Sequence, residues 1–373
     1  MEREQIGFLD FFKTIPDHRI SRHKRHEVEE ILLVTFCGII TGCEGWNDIE
    51  LYGKTKINFL KKYLPFKSGI ASDDTFRRFF RALDPDKFES CFVEWVKSFQ
   101  LNMESKIIAL DGKTSRRSFD GENKPLHLLS AFASEIGLSL GQIKVDEKSN
   151  EITAIPQLLE ILDLAKSIVT IDAMGCQSDI SEKIIAKNAD YILALKGNQG
   201  NLHEDVELFF NRNIRKFKRF SFKKTTKGHG RIETRKCVVV ENIEWLRKRH
   251  PKWKNLKSII EIESLRDIQG KVSIEKRYYI SSLAANAKQI ANAIQQHWGI
   301  ENKLHWVLDV CFSDDQSRIR KGNAPRNIAI IKKTALNLMQ IVKPHYPRIS
   351  LKRMRKLAGW DNTFLEAVLL AEF

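Results

Sequence analysis

Over the first hundred positions apolar residues recur at helical spacing. Glu27-Val28-Glu29-Glu30 precedes Ile31-Leu32-Leu33-Val34, so acids occupy the first turn of an apolar helix, where the helix dipole favours them. Ser72 is a natural N-cap for a second helix in which Phe76, Phe79, Phe80 and Leu83 share one face, with Arg77, Arg78 and Arg81 largely off it. Phe88, Cys91, Phe92, Trp95, Val96 and Phe99 mark a third. Residues 1–100 therefore read as a helical domain.

The pattern then changes. Short strand-like runs fall at 106–111, 127–134, 138–145, 167–172 and 190–196, with apolar helical stretches near 153–164 and 179–188. Three close runs followed by strand–helix–strand alternation predict an α/β core, a mixed sheet flanked by helices. A polar helix near 201–211 leads into basic, Val- and Thr-rich runs at 236–240, 258–262 and 277–280, so 201–285 reads as a β-rich insertion. From 286 the chain is helical again: 286–345 returns to the core, with Lys321-Gly322-Asn323-Ala324-Pro325 before a helix near 326–342, and 346–373 forms a helical tail.

Charge adds a partner class. The 373 residues carry +15, concentrated in 201–280 (21 basic, 10 acidic) and 310–356 (12 basic, 2 acidic), leaving the remainder net negative. Two basic blocks make a footprint for a polyanion, with solvated surface as the plainer reading. The arginines of the Phe76 helix likewise either enter a DNA groove or solvate an outer face. Six cysteines (37, 43, 91, 176, 237, 311) form no C-x-x-C pair, which fits a reducing compartment and argues against structural zinc. The N-terminus is unlike a signal peptide, and the most apolar window, Ile31 to Cys43, is too short to span a bilayer. The expectation is a cytoplasmic protein, nucleoid-associated when on DNA, with no membrane partner.

The candidate chemistry is carboxylate chemistry. Asp111 and Asp172 end the apolar runs 107–110 and 168–171, at the carboxyl ends of strands where α/β sites form. Glu301 sits on a later amphipathic helix, where His297, Glu301 and His305 fall four apart in one polar stripe and Ile294 and Trp298 can face the core. If the first and fourth strands are neighbours, the acids meet, and an all-oxygen cluster suits hard divalent cations. Taken alone, an Asp at a strand end is more often a cap or turn residue than a ligand. Gly112-Lys113-Thr114 resembles the end of a P-loop but lacks its first glycine, since position 107 is Ile. Zinc is disfavoured because no H-E-x-x-H order occurs. Gly112 permits a tight turn, Lys113 puts a cation beside the carboxylate, and Glu151 is either a motif position or an ordinary acid at a helix N-terminus.

Several stretches taken together resemble the H-repeat-associated (ISAs-type) DDE transposases of bacterial insertion sequences. They are 110–114 (LDGKT), 172–177 (DAMGCQ), 194–199 (ALKGNQ), 228–235 (GHGRIETR) and 297–302 (HWGIEN). The resemblance spans nearly the whole chain. It implies a ribonuclease-H-like catalytic core interrupted by a β-rich insertion before the Glu-bearing helix. It also implies that Asp111, Asp172 and Glu301 bind two Mg²⁺ ions, replaceable by Mn²⁺, for cleavage at element ends and strand transfer into target DNA. The wider group's Tyr-x2-Arg-x3-Glu-x6-Lys signature is not kept: Ile294, His297 and Leu308 hold its Tyr, Arg and Lys places. His297 and His305, with Lys303, are expected to replace those cations at the DNA end. Lys113, Lys196, Arg231, Arg235, Arg318, Arg320, Lys321 and Arg326, with Arg77, Arg78 and Arg81, complete the candidate DNA contacts. The implied partners are double-stranded DNA, at the element's terminal repeats and at the target, and a second copy of the chain. A structure-specific nuclease and a degenerate transposase that only binds DNA remain as other readings.

Overall fold

A computed structural model describes residues 6–19, 24–119, 124–146, 150–213, 217–228 and 230–371. Met1–Gln5, used in the signal-peptide reading, and His229 of the 228–235 stretch lie outside them.

The amino-terminal part is helical: α1 Gly7–Asp10, α2 Val28–Thr41, α3 Trp46–Leu60, α4 Asp73–Ala82 and α5 Pro85–Lys97. Ser72 caps α4 as read, accepting from the Thr75 N–H. Phe76, Phe79 and Phe80 are fully buried, each stabilising the fold by roughly 1.5–3 kcal/mol. On the outer face Arg77 pairs with Asp73 and Asp74 and Arg78 with Asp74, so the acids of the first turn already hold two of the three candidate DNA arginines.

The sheet begins with β1 Ile107–Thr114, β2 His127–Ala133 and β3 Leu138–Lys144, then α6 Glu151–Ile161, β4 Ile168–Ile171, α7 Ser178–Ala186 and β5 Asp190–Leu195. After α8 Asn201–Leu208 come β6 Phe220–Gly228, β7 Arg231–Val240, α9 Glu244–Arg249, β8 Ser258–Ile268 and β9 Lys271–Ser281. The helices α10 Ala287–His297, α11 Trp306–Phe312, α12 Ala324–Val342, α13 Leu351–Trp360 and α14 Asn362–Leu369 close the chain.

All nine strands join one sheet, in the order β3-β2-β1-β4-β5-β9-β8-β7-β6. β1 pairs antiparallel with β2 and parallel with β4, and β5 continues parallel to β4. This mixed sheet with flanking helices is the ribonuclease-H-like core. The inserted strands are not a detached layer, because β9 hydrogen-bonds to β5 and carries the core sheet outward. Their far ends project as exposed hairpins.

α12 ties sheet to helices. It packs against α2, α4, α5 and β3, and it is buried nearly all round, as a helix without a solvent face must be. Its polar residues are therefore paired: Asn337 brackets the Ser139 N–H and C=O, and Asn327 donates to the carbonyls of Phe80 and Leu83.

Candidate active site

The parallel register of β1 and β4 matches Leu110 with Ile171. The next residues, Asp111 on β1 and Asp172 just past β4, therefore stand side by side. Asp111 does not end its strand, as the apolar run predicted. β1 continues three residues further to Thr114 because antiparallel β2 outruns β4 and keeps supplying partners. Asp172 does stand just past β4, where its Oδ1 accepts the Met174 and Gly175 N–H groups at 3.0 and 3.4 Å. The small residues after it let the chain turn back on the carboxylate.

Glu301 departs from the expected α-helix. Residues Ile300–His305 form a π-helical turn between α10 and α11. A π turn inserts one residue per turn and re-aims what it carries, and such turns often mark functional sites. The Asn302 N–H reaches back to the Trp298 carbonyl, and Gly299 lies close against Ser134. Glu301 is exposed and lines, with Asp111, Asp172, Lys196 and His297, a cleft of about 430 Å³.

Burial disfavours the charged form of both histidines. His297 is deep in the protein, its Nδ1 3.0 Å from Thr170 Oγ1, and burial lowers its pKa although Asp172 opposes the shift. His305 Nδ1 faces Asp111 Oδ2 at 3.4 Å, while burial, then Lys333 and Lys113, push its pKa down to about 3. That contact is a neutral ring against a carboxyl rather than an ion pair. For His305 the expectation of a DNA-holding cation does not hold, because the ring is buried beside Lys332 and Lys333 of α12, whereas His297 lines the cleft. The unfolded imidazole (6.5) takes up a proton between pH 6.5 and about 3 while the folded ring does not, so stability from this group rises with pH across that window. In chelator, His305→Asn should flatten the acid limb of the stability–pH curve. A limb superimposable on the wild type's would refute the neutral, enclosed ring.

Asp111 is pushed up to about 7, by burial first and then by the charges of Glu151, Glu301 and Asp172, against the Gly112 N–H. The acids converge without closing into a shell: among the described residues no three His, Cys, Asp or Glu side chains form a metal-holding group. The donor set nonetheless fits a hard divalent cation, being all carboxylate oxygen. The repulsion that holds back Asp111 is the penalty that a bound dication reverses.

Other expectations are corrected. Lys113 is spent on Asp309 at 2.7 Å, Asp315 at 3.1 Å and Asp314 at 3.5 Å, and is too enclosed to meet DNA. Arg326 is largely covered and pairs with Asp86 at 2.6 Å. Trp298 does not face the core as Ile294 does, but stands 37% exposed with the Arg277 guanidinium over its ring. Gly112 makes no turn: it is mid-strand, and Glu151 Oε1 occupies the space its side chain would need. Lys303 donates to the Ser134 carbonyl and Arg320 to the Arg117 carbonyl while stacking on Phe119. Arg318, Lys321 and Arg81 are exposed, with Arg81 packed beside Gly322.

Sequence reading missed a second, basic groove. It is about 440 Å³, runs between the inserted strands and α10, and is lined by Lys224, Arg231, Arg235, Arg266 and Arg277. Buried Glu233 is its hub, 2.9 Å from Arg235, 3.3 Å from Arg266 and 3.9 Å from Arg231. Arg277, Tyr279, Ile294 and Trp298 border both groove and cleft. In the sequence its trace was the basic block of 201–280, which does not show that Lys224, Arg266 and Arg277 join Arg231 and Arg235 in one groove.

The nine-stranded sheet seats Asp111 and Asp172 in register, and the π turn brings Glu301 to the same cleft. Residues 102–338 match the family described as transposase DDE domain, and residues 9–96 match the region described as DDE_Tnp_1-associated. The chain belongs to the DDE transposase family. It is 45% identical over 97% of its length to YncI of Escherichia coli O157:H7, covering 94% of that protein, which carries a transposase name. It is 40% identical to YhhI of Escherichia coli K12, named as H repeat-associated, over 97% of both chains. Among solved structures it resembles the piggyBac transposase synaptic complex with hairpin DNA. That likeness has 11% identity and a TM-score of 0.45, covering 94% of this chain and 75% of that one. The protein is thus a DNA transposase, of a family whose chemistry uses divalent metal.

Proposed function

We propose that Asp111, Asp172 and Glu301 are the catalytic acids, together holding two Mg²⁺ ions for which Mn²⁺ can substitute. The observation that carries this is the β1–β4 register, which sets Asp111 beside Asp172 at the cleft lined by Glu301. A divalent cation bound there lowers the pKa of a water and neutralises charge gathering on the phosphate. The chain's own groups do the rest. Asp172 is fixed by two backbone N–H groups, the neutral His305 ring orients Asp111, and Lys196 at the cleft edge offers a cation to the phosphodiester. Water opens the phosphodiester at the element end and frees a 3′-hydroxyl. That hydroxyl then attacks a target phosphodiester, forming one new ester and releasing one target 3′-hydroxyl.

The basic groove supports a path for the element end, with Arg231 and Arg235 held by Glu233, while Arg318 and Lys321 are exposed on the surface outside it. The helical 1–100 segment and the 201–285 strands then flank the core of 101–200 and 286–345 as DNA-holding parts, with 346–373 as a tail. Two ends must be held at once, so the active form is a homodimer on DNA, in the cytoplasm and on the nucleoid. Each arginine that touches phosphate contributes to the salt dependence of binding. Arg235→Ala should weaken end binding uniformly across sequences and reduce the slope of log K against log salt by about 1. An unchanged slope would remove Arg235 from the interface.

The test of the function is a labelled terminal repeat incubated with target DNA and Mg²⁺. Nicked ends that become joined to target mark a transposase. Nicks that never join mark a nuclease, and binding without nicking a chain that only binds DNA.

A further inference from the structure

A fourth carboxylate reaches the acid cluster. Glu151 is the first residue of α6, and its side chain lies against β1 at the one position that has no side chain. A Cβ on Gly112 would stand 2.1 Å from Glu151 Oε1 and 2.7 Å from its Cδ. Gly112 follows Asp111, so this gap opens beside the first catalytic acid. The carboxylate is also held there. His127 Nε2 lies 2.8 Å from Glu151 Oε1, and the other ring nitrogen, Nδ1, lies 2.8 Å from Thr114 Oγ1. His127 and Thr114 are directly paired across β1 and β2. A hydroxyl, an imidazole and a missing side chain thus converge to seat one acid, more than a favourable charge at a helix N-terminus requires.

We propose that Glu151 supplies a fourth carboxylate to the cation site of Asp111, Asp172 and Glu301, with His127 as its positioning residue. The inference rests on the phosphoryl-transfer reading of that cluster. Three carboxylates bring at most three negative charges against the four positive charges of two divalent cations, and the fourth makes the count even. Of the neighbouring acids, Glu151 bears on Asp111 more strongly than Glu301 or Asp172. Hard cations also want more oxygen ligands than three side chains readily supply.

The test is Mn²⁺ binding to the full chain by electron paramagnetic resonance, with unfolding in chelator as the fold control. Asp111→Asn, Glu151→Gln, Glu151→Asp, His127→Gln and His127→Phe are compared with the wild type. Glu151→Gln keeps shape and removes charge. It should weaken Mn²⁺ binding about tenfold or more, toward the Asp111→Asn value, without lowering stability in chelator. Glu151→Asp should recover part of the affinity. His127→Gln, which can still donate to the carboxylate, should bind better than His127→Phe. Loss in Asp111→Asn with wild-type affinity in Glu151→Gln overturns the fourth ligand and leaves the three-acid site standing. Wild-type affinity in both overturns the cluster itself. Equal affinity in wild type and His127→Phe removes His127 from the site.

Discussion

Asp172→Ala is expected to bind an element end and leave it uncut. The carboxylate stands just past β4, held by two backbone N–H groups, and no other acid occupies its place in the register beside Asp111. On the proposed reading its removal takes one carboxylate ligand from the cation and leaves the remaining acids to hold it. The loss in cleavage rate should be at least the ~10²–10³-fold that follows removal of one electrostatic stabiliser from an active site. The salt dependence and affinity of DNA binding should change little, because the basic groove is built from other strands. Cleavage by Asp172→Ala within tenfold of wild type would show that the chemistry lies elsewhere.

The second large effect is structural. Asp314 is buried 2.8 Å from Lys332 and 3.5 Å from Lys113, and Ser115 Oγ donates to it at 3.3 Å. Burial alone would raise its carboxyl; Lys332, Lys113 and Lys333 overrule this and bring it down to about 2. Asp314 fastens the loop after α11 to α12 and to the end of β1 beyond Asp111. Asp314→Ala leaves the buried Lys332 ammonium without its carboxylate, Lys113 keeping Asp309 and Asp315, and should cost about 3–5 kcal/mol in denaturant unfolding. Asp314→Asn with Lys332→Met should recover much of that, since the unpaired charge is then gone. The folded carboxyl lies below its ordinary 3.8, so its contribution is full above that value and is lost as pH falls through about 2. A cost under 1 kcal/mol for Asp314→Ala would mean that water reaches the lysines.

The five core strands were legible because each buries an apolar run; 168–171 is buried throughout. β6 and the outer halves of β8 and β9 were not. β6 and the outer half of β9 are mostly exposed, so Lys223, Lys224, Lys271 and Lys276 interrupt any alternation, and the outer half of β8 is only half-buried. The family resemblance named the acids, and the strand pattern placed two of them at the sheet. The charged partners of Lys113 were invisible, because they lie some two hundred positions downstream and meet it only when α11 and α12 pack. The π turn was equally hidden: helical spacing through Glu301 predicts an even stripe, and the extra residue per turn leaves no compositional trace. That insertion lies between Trp298 and His305 and so shifts His305, which turns toward Asp111, relative to the α10 stripe.

Anomalous diffraction at the manganese edge, from crystals of the full chain with an uncleaved element end and Mn²⁺, would locate the cations. Manganese is expected on the carboxylate oxygens of Asp111 and Asp172, with Glu301 at the same site and the phosphodiester beside it. Manganese seated elsewhere, with those three carboxylates unligated in a complex that cleaves when warmed, would contradict that assignment.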